Sequence, residues 1–476
     1  MGRMGPTPTI SECNSTVGNL RKSHWLKEYY SKHKHVKPQL SIKTQVTCAG
    51  WDEYLGAKEV AFREGNKPIN VSYWIGSVLD GLVMAMPPPN QATHGVNILL
   101  STSSLKMASP YGITNVPKLT IEAVQTVTRP YKVTDQRRSC RVLATDPIAS
   151  GIFKRCLHVV LYYKNVSEED SGWIFAGWAK ETLGKAISEQ PMLSGRLWRG
   201  EDGDGELEIV SNDSGVRLIE TQVAVTLSEF LELKEKEEAE AQLVFWNDID
   251  EHNPRFSPLF YVQVTNFQCG GYSIGISCSI LLADLLVKEK FLTSWANIHN
   301  NILSSNNEPK KPLFYLPNLK RNGSSPPSIT SSTPRKDCVK TMHFKVTAEN
   351  ANLDGETCKS LALHCVEETE SRLGSKMDSE FYLFVKENSE DIIEIEKYPK
   401  HKHVKPQLSI KTQVTCAGWD EYLGTKEVAF REGSKPINVS YWIGSVLDGL
   451  VMAMPPPNQA THGVNILVAI PNENEL

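Results

Sequence analysis

Pro258-Leu259-Phe260-Tyr261-Val262-Gln263-Val264-Thr265-Asn266-Phe267-Gln268-Cys269-Gly270-Gly271-Tyr272-Ser273-Ile274-Gly275-Ile276-Ser277-Cys278-Ser279-Ile280-Leu281-Leu282-Ala283-Asp284 reads as a strand, a tight turn, and a second strand that runs into a helix. Phe260 to Phe267 and Tyr272 to Ser279 carry β-branched and aromatic residues suited to a pleated, buried surface. Cys269-Gly270-Gly271 supplies the turn between them. From Leu281 the period changes: Leu281, Leu282, Leu285, Leu286 and Phe291 predict one buried helical stripe. Strand alternation places Ile276, Cys278 and Ile280 on one face, with Ser277 and Ser279 on the other.

The flanks extend the same mixed pattern. Upstream, Leu119 to Val127 and Cys156 to Tyr163 read as strands and Ile174 to Ser188 as a helix that Pro191 stops. Leu193-Ser194-Gly195-Arg196-Leu197 then leads to a strand over Leu207 to Ser211. Leu227 to Leu243 is expected to be one helix with a solvated acidic centre, Glu235 to Glu240. Downstream, Ser304 to Asp337 is rich in Ser, Pro, Asn and Lys and reads as a surface linker. Strand Thr341 to Val346, helix Cys358 to Arg372 and strand Glu380 to Val385 follow. Strands mixed with helices on both sides of a linker indicate an α/β protein of two similar-sized domains, over 107–303 and 338–476, with the linker at 304–337.

The chain also contains a copy of its own end. Lys32 to Leu99 recurs as Lys400 to Leu467, and only the pairs Ala57/Thr425 and Asn66/Ser434 differ. Solenoid repeats are short, adjacent and divergent; these two are distant and nearly identical. The copied stretch is strand-rich, at Leu40 to Val46, Val60 to Phe62, Ile69 to Ile75 and Leu82 to Met86. One fold offers such strands one slot. The C-terminal copy is expected to fill it, which makes 1–106 a surplus segment with open strand edges.

Composition narrows the function. Hydrophobic residues at 40% and charged residues at 22% exclude general disorder. Lys and Arg number 51 against 55 Asp and Glu, a net charge of −4 with no basic block, which excludes a phosphate-neutralising nucleic-acid binder. Ten cysteines without a CxxC pair predict neither a disulfide scaffold nor a zinc site. Met1 to Leu20 has no apolar core, and no stretch reaches the ~18 apolar residues of a membrane span. The expectation is a soluble, cytoplasmic protein without bound metal.

The opening stretch resembles the central strand pair of the plant BAHD acyltransferases, which move acyl groups from coenzyme A thioesters onto hydroxyls or amines. Pro191-Met192-Leu193-Ser194-Gly195-Arg196-Leu197 resembles that family's Pro-Leu-Ala-Gly-Arg stretch. Gly205-Glu206-Leu207-Glu208-Ile209 with Asn212-Asp213-Ser214-Gly215-Val216 resembles the strand and turn that follow it. The likeness runs from about Ile113 to the C-terminus with its motifs in order. It implies two chloramphenicol-acetyltransferase-like domains with mixed sheets and a channel between them. It also implies acyl-CoA as co-substrate with no bound cofactor, a small-molecule acceptor, and a monomer.

The family's signature is His-x-x-x-Asp at the end of the second strand. The His takes a proton from the acceptor, which then attacks the thioester; the Asp pairs with a basic group and shapes the junction. The matching positions are Ile280 and Asp284. A branched aliphatic side chain accepts no proton, and loss of a general base typically costs ~10²–10⁴ in rate. The family's Asp-Phe-Gly-Trp-Gly loop is also altered: Phe430-Arg431-Glu432-Gly433-Ser434 precedes Lys435-Pro436, and Phe62 to Pro68 departs in the same way. Trp442-Ile443-Gly444 and Asp448-Gly449-Leu450-Val451 resemble the Eceriferum-like group, linked to very-long-chain fatty-acid elongation and wax. That likeness implies a non-catalytic auxiliary of elongase components at the endoplasmic reticulum surface.

Few residues could replace the missing base. Cys278 lies about 6.5–7 Å from position 280 along the strand, but no base stands at a definable spacing to form its thiolate, and it reads most simply as a small buried apolar residue. His158 and His364 fall in a strand and a helix and read as packed or surface histidines. His33-Lys34-His35 and its copy His401-Lys402-His403 offer too few ligands for a metal.

Overall fold

The computed structural model describes residues 82–86, 97–101, 116–130, 138–165, 171–200, 206–288 and 290–304, the positions 312, 331 and 336, and 338–348, 355–386, 392–400, 412–446, 448–455 and 463–472. Contacts divide the chain into two compact units, Met1–Ser109 and Pro110–Leu476. In the first, strands β1 (Leu82–Met86) and β2 (Asn97–Ser101) form an antiparallel pair.

The second unit is built on two sheets. Its first-half strands are β3 (Leu119–Val127), β4 (Ser139–Ala144), β5 (Cys156–Tyr163), β6 (Arg196–Arg199), β7 (Leu207–Val210), β8 (Val216–Val223), β9 (Phe260–Phe267) and β10 (Tyr272–Ser279). After the linker come β11 (Val339–Ala348), β12 (Glu380–Lys386), β13 (Ile392–Pro399), β14 (Thr412–Ala417), β15 (Asn438–Gly444), β16 (Leu450–Met454) and β17 (Gly463–Pro471). A six-stranded mixed sheet runs β15-β5-β10-β9-β8-β3, and a nine-stranded mixed sheet runs β14-β11-β17-β16-β12-β13-β4-β7-β6. Strands cross between the halves: β15 closes the edge of the first sheet on β5, while β4, β6 and β7 extend the second.

The helices are α1 (Gly172–Glu189), α2 (Leu227–Leu231), α3 (Lys236–Glu240), α4 (Ala283–Lys288), α5 (Phe291–Ser304), α6 (Gly355–Leu373) and α7 (Trp419–Leu423). Strands β5, β9 and β10 are buried at every residue, the polar Gln263, Thr265, Ser273 and Ser277 included. Gly275 sits where β10 passes under Leu243; a Cβ there would lie 1.9 Å from the Leu243 carbonyl oxygen.

Two sequence expectations are corrected. Leu227 to Leu243 is two short helices and a 3₁₀ turn, with Thr226 capping α2 through a reciprocal bond with Glu229. Its acidic centre is not wholly solvated, because Glu240 is fully buried and paired with Lys336. Val428 to Phe430, the counterpart of Val60 to Phe62, forms no strand; Phe430 leaves the backbone to enter an aromatic cluster. Residues 60–62 lie outside the described residues, as do His33, His35, His401 and His403.

Candidate active site

The junction at the end of β10 is held by the backbone of two neighbouring segments. Ser279 N–H donates to the Leu259 carbonyl at 2.8 Å, and Ile280 N–H donates to the Arg155 carbonyl at 3.1 Å. A 3₁₀ turn over Ile280–Leu282 then hands the chain to α4. The Ile280 side chain is 1% exposed and faces the second sheet, where Phe384, Met452 and Met454 line a shared cavity with it. That cavity is about 10 Å³, roughly the room for one water.

Asp284 reaches the same cavity and is 4% exposed. Its Oδ2 pairs with Lys386 Nζ of β12 at 2.6 Å, which joins the junction of one sheet to a strand of the other. Its Oδ1 has no hydrogen-bond partner among the described residues. Asp284 and Lys386 are the only ionisable residues among those described around the cavity that Ile280 lines, and each is tied to the other.

Cys278 is fully buried in the apolar cluster that holds Ile276 and Ile280, as strand alternation predicts. Burial, with Asp284 nearby, pushes its thiol well above the ordinary value, so at neutral pH it is neither thiolate nor nucleophile. His158 is also fully buried. Its Nδ1 lies 2.9 Å from Ser277 Oγ, its Nε2 lies 2.9 Å from Cys156 Sγ, and its ring packs on Trp442 at 4.9 Å. Burial lowers its pKa to about 3. This cysteine–histidine–serine line is sealed, and the Cys156 thiol is pushed well up by the same burial. His364 is exposed on α6.

Sequence reasoning missed Arg155. It is 2% exposed, lies over the rings of Tyr382 at 5.2 Å and Phe384 at 5.9 Å, and donates from Nη1 to the Gly449 carbonyl at 3.3 Å. Burial lowers its pKa to about 10. Arg155 therefore bridges the sheets with its side chain while its carbonyl fixes Ile280. Lys154-Arg155 precedes an apolar strand, and no local pattern marks a cation that stacks on rings far along the chain. In the loop before Lys435, Phe430, 1% exposed, packs against Trp295 at 4.7 Å, Phe175 at 5.0 Å and His299 at 5.5 Å. Among the described residues no group of His, Cys, Asp and Glu could hold a metal ion.

Comparisons with known proteins agree with the strand pair and the junction. Residues 152–359 match the model of the Transferase family. Brassinosteroid-related acyltransferase 1 of Arabidopsis thaliana is 34% identical over 178 residues, covering 35% of this chain and 38% of that protein. Hydroxycinnamoyltransferase of Narcissus pseudonarcissus is 30% identical over 194 residues, 37% of this chain and 43% of that one. Protein ECERIFERUM 2 of Arabidopsis thaliana is 30% identical over 140 residues, 28% and 32% of the two chains. The chain thus spans well under half the length of these relatives. The crystal structure of vinorine synthase aligns over 74% of this chain and 95% of its own, at 15% identity and a TM-score of 0.37. Through its residues 152–359 the chain is similar to the Transferase family, and the relatives that it matches in part are plant acyltransferases and an Eceriferum protein.

Proposed function

We propose that this chain is an acyltransferase-type protein that moves an acyl group from acyl-CoA to a hydroxyl or amine acceptor, slowly, at a site without a general base. The observation that carries this reading is Ile280, 1% exposed at the strand-to-helix junction, with Asp284 and Lys386 committed to each other beside it. The new C–O or C–N bond forms as the thioester C–S bond breaks, and the departing thiolate takes up a proton. The acceptor's own proton has no side chain at position 280 to receive it, so the rate falls by the ~10²–10⁴ that a missing base costs. Amine acceptors, which need less activation, suffer least.

A second reading is favoured by the cavity wall. Apart from the Asp284–Lys386 pair, its described lining is apolar, as at Leu281, Phe384 and Met452. A non-catalytic protein of the Eceriferum kind needs no proton acceptor, which such an apolar wall does not supply, and would work as a monomer with fatty-acid elongase components at the endoplasmic reticulum surface.

Thiol release from a panel of acyl-CoA esters with mixed alcohol and amine acceptors separates the two, comparing the full chain with its Ile280→His variant. The expected result is a slow parent and a variant faster by ~100-fold or more. A silent parent with an active variant favours the auxiliary role. A fast parent that the variant does not improve refutes the missing-base argument. Silence from both, with the variant's melting temperature unchanged, refutes acyl transfer.

A further inference from the structure

The C-terminal repeat is built into both sheets. Strand β14 pairs with β11, β15 closes the first sheet on β5, and β16 with β17 fills the second sheet between β12 and β11. Its side chains complete the core: Phe430, Trp442, Leu450, Met452 and Ile466 are each 4% exposed or less. The first repeat carries the same residues in the same order, as Phe62, Trp74, Leu82, Met84 and Ile98. Its strands β1 and β2 also pair in the same register. Leu82 faces Ser101 and Met86 faces Asn97, just as Leu450 faces Ala469 and Met454 faces Asn465.

From this identity we infer that the slot filled by 412–471 accepts the first repeat as an alternative occupant, supplied by the same chain or by a second copy. The slot recognises a strand-and-core pattern, and both repeats carry it. It also prefers one of them. Thr425 is fully buried with its hydroxyl on Tyr441 Oη, and Ala57 stands at that place in the first repeat. Past the end of the copied stretch, Ala469 and Ile470 are fully buried, where the first repeat offers Ser101 and Thr102. Hydroxyls placed in an apolar core without partners are disfavoured, so the C-terminal repeat holds the slot at rest and the first repeat enters when its rival is weakened.

Cysteine pairs in the full chain test this. Lys345 of β11 faces Asn465, so Lys345→Cys with Asn465→Cys reports the resting occupant and Lys345→Cys with Asn97→Cys reports the alternative. The expected result is a 97–345 disulfide that is minor in the parent, rises several-fold with Thr425→Ala, and dominates with Trp442→Asp. A cross-linked monomer marks exchange within one chain and a covalent dimer marks exchange between copies; either supports the inference. Adding Trp74→Asp to Trp442→Asp should abolish the cross-link and the soluble protein together. No 97–345 disulfide in either Thr425→Ala or Trp442→Asp, whether those chains stay folded or not, overturns it.

Discussion

Replacing Lys336 by Met tests how β15 is locked into the first sheet. The Glu240 carboxylate is fully buried and accepts from three groups: Tyr162 Oη of β5 at 2.8 Å, Ser440 Oγ of β15 at 2.6 Å, and Lys336 Nζ at 2.8 Å. Lys236 Nζ stands 3.7 Å away. Removing one partner of a buried ion pair costs ~3–5 kcal/mol, because the surviving charge is stranded. Three features lower that figure here. Both hydroxyl donors remain, Lys236 is within reach, and the Lys336 side chain is itself 24% exposed. A loss of ~2–3 kcal/mol is therefore expected after allowing for solvent screening. Urea unfolding followed by tryptophan fluorescence reads it, since Trp442 is buried on the strand being released. Ser440→Ala should cost ~1.5–3 kcal/mol, the range for a hydrogen bond to a charged group. The double variant should depart from the sum, because both donors share one carboxylate. If Lys336→Met stays within ~0.5 kcal/mol of the parent, like an ordinary surface change, the buried-charge reasoning is wrong.

Two further outcomes follow from burial. His158, His299 and His343 are held neutral, each lowered to about 3 chiefly by burial, whereas an unfolded histidine titrates near 6.5. The unfolded chain therefore takes up protons first as pH falls, and the stability of the neutral forms, whole above about 6.5, drains away between there and 3. The expected slope is up to about 1.4 kcal/mol per pH unit for each histidine, and His343→Leu should remove one share; an unchanged slope in that variant refutes it. Iodoacetamide on the native chain should modify the exposed Cys269 and Cys416 and spare Cys278; early labelling of Cys278 would reopen it as a nucleophile.

What could be read from the sequence follows from how each segment is buried. Leu119–Val127, Cys156–Tyr163, Phe260–Phe267 and Tyr272–Ser279 match their strands end to end, because their β-branched and aromatic compositions announce a pleated strand without needing a partner. Strand β13 carries a legible signal, since buried Ile393 and Ile395 alternate with Glu394 and Glu396 at strand spacing; only its place between β12 and β4 depends on its neighbours. The site divides the same way. The positions Ile280 and Asp284 follow from a local motif, whereas Lys386 and Arg155 join the junction through contacts between sheets, which no spacing encodes. Glu240 was read as solvated because an acidic run normally is; its burial depends on Lys336 and Ser440, both far along the chain.

The edge that β15 closes has a consequence for synthesis. Strand β5 exposes no side chain in the finished protein and meets β10 on one side and β15 on the other. A ribosome that has passed Tyr163 must still reach Gly444 before that second neighbour exists. At ~5–20 residues per second this takes on the order of 15–60 s. Throughout that interval an apolar strand presents unpaired backbone to its surroundings, the arrangement that templates unwanted pairing. The first repeat, which carries the same strand sequence at Asn70 to Gly76, has by then already left the ribosome.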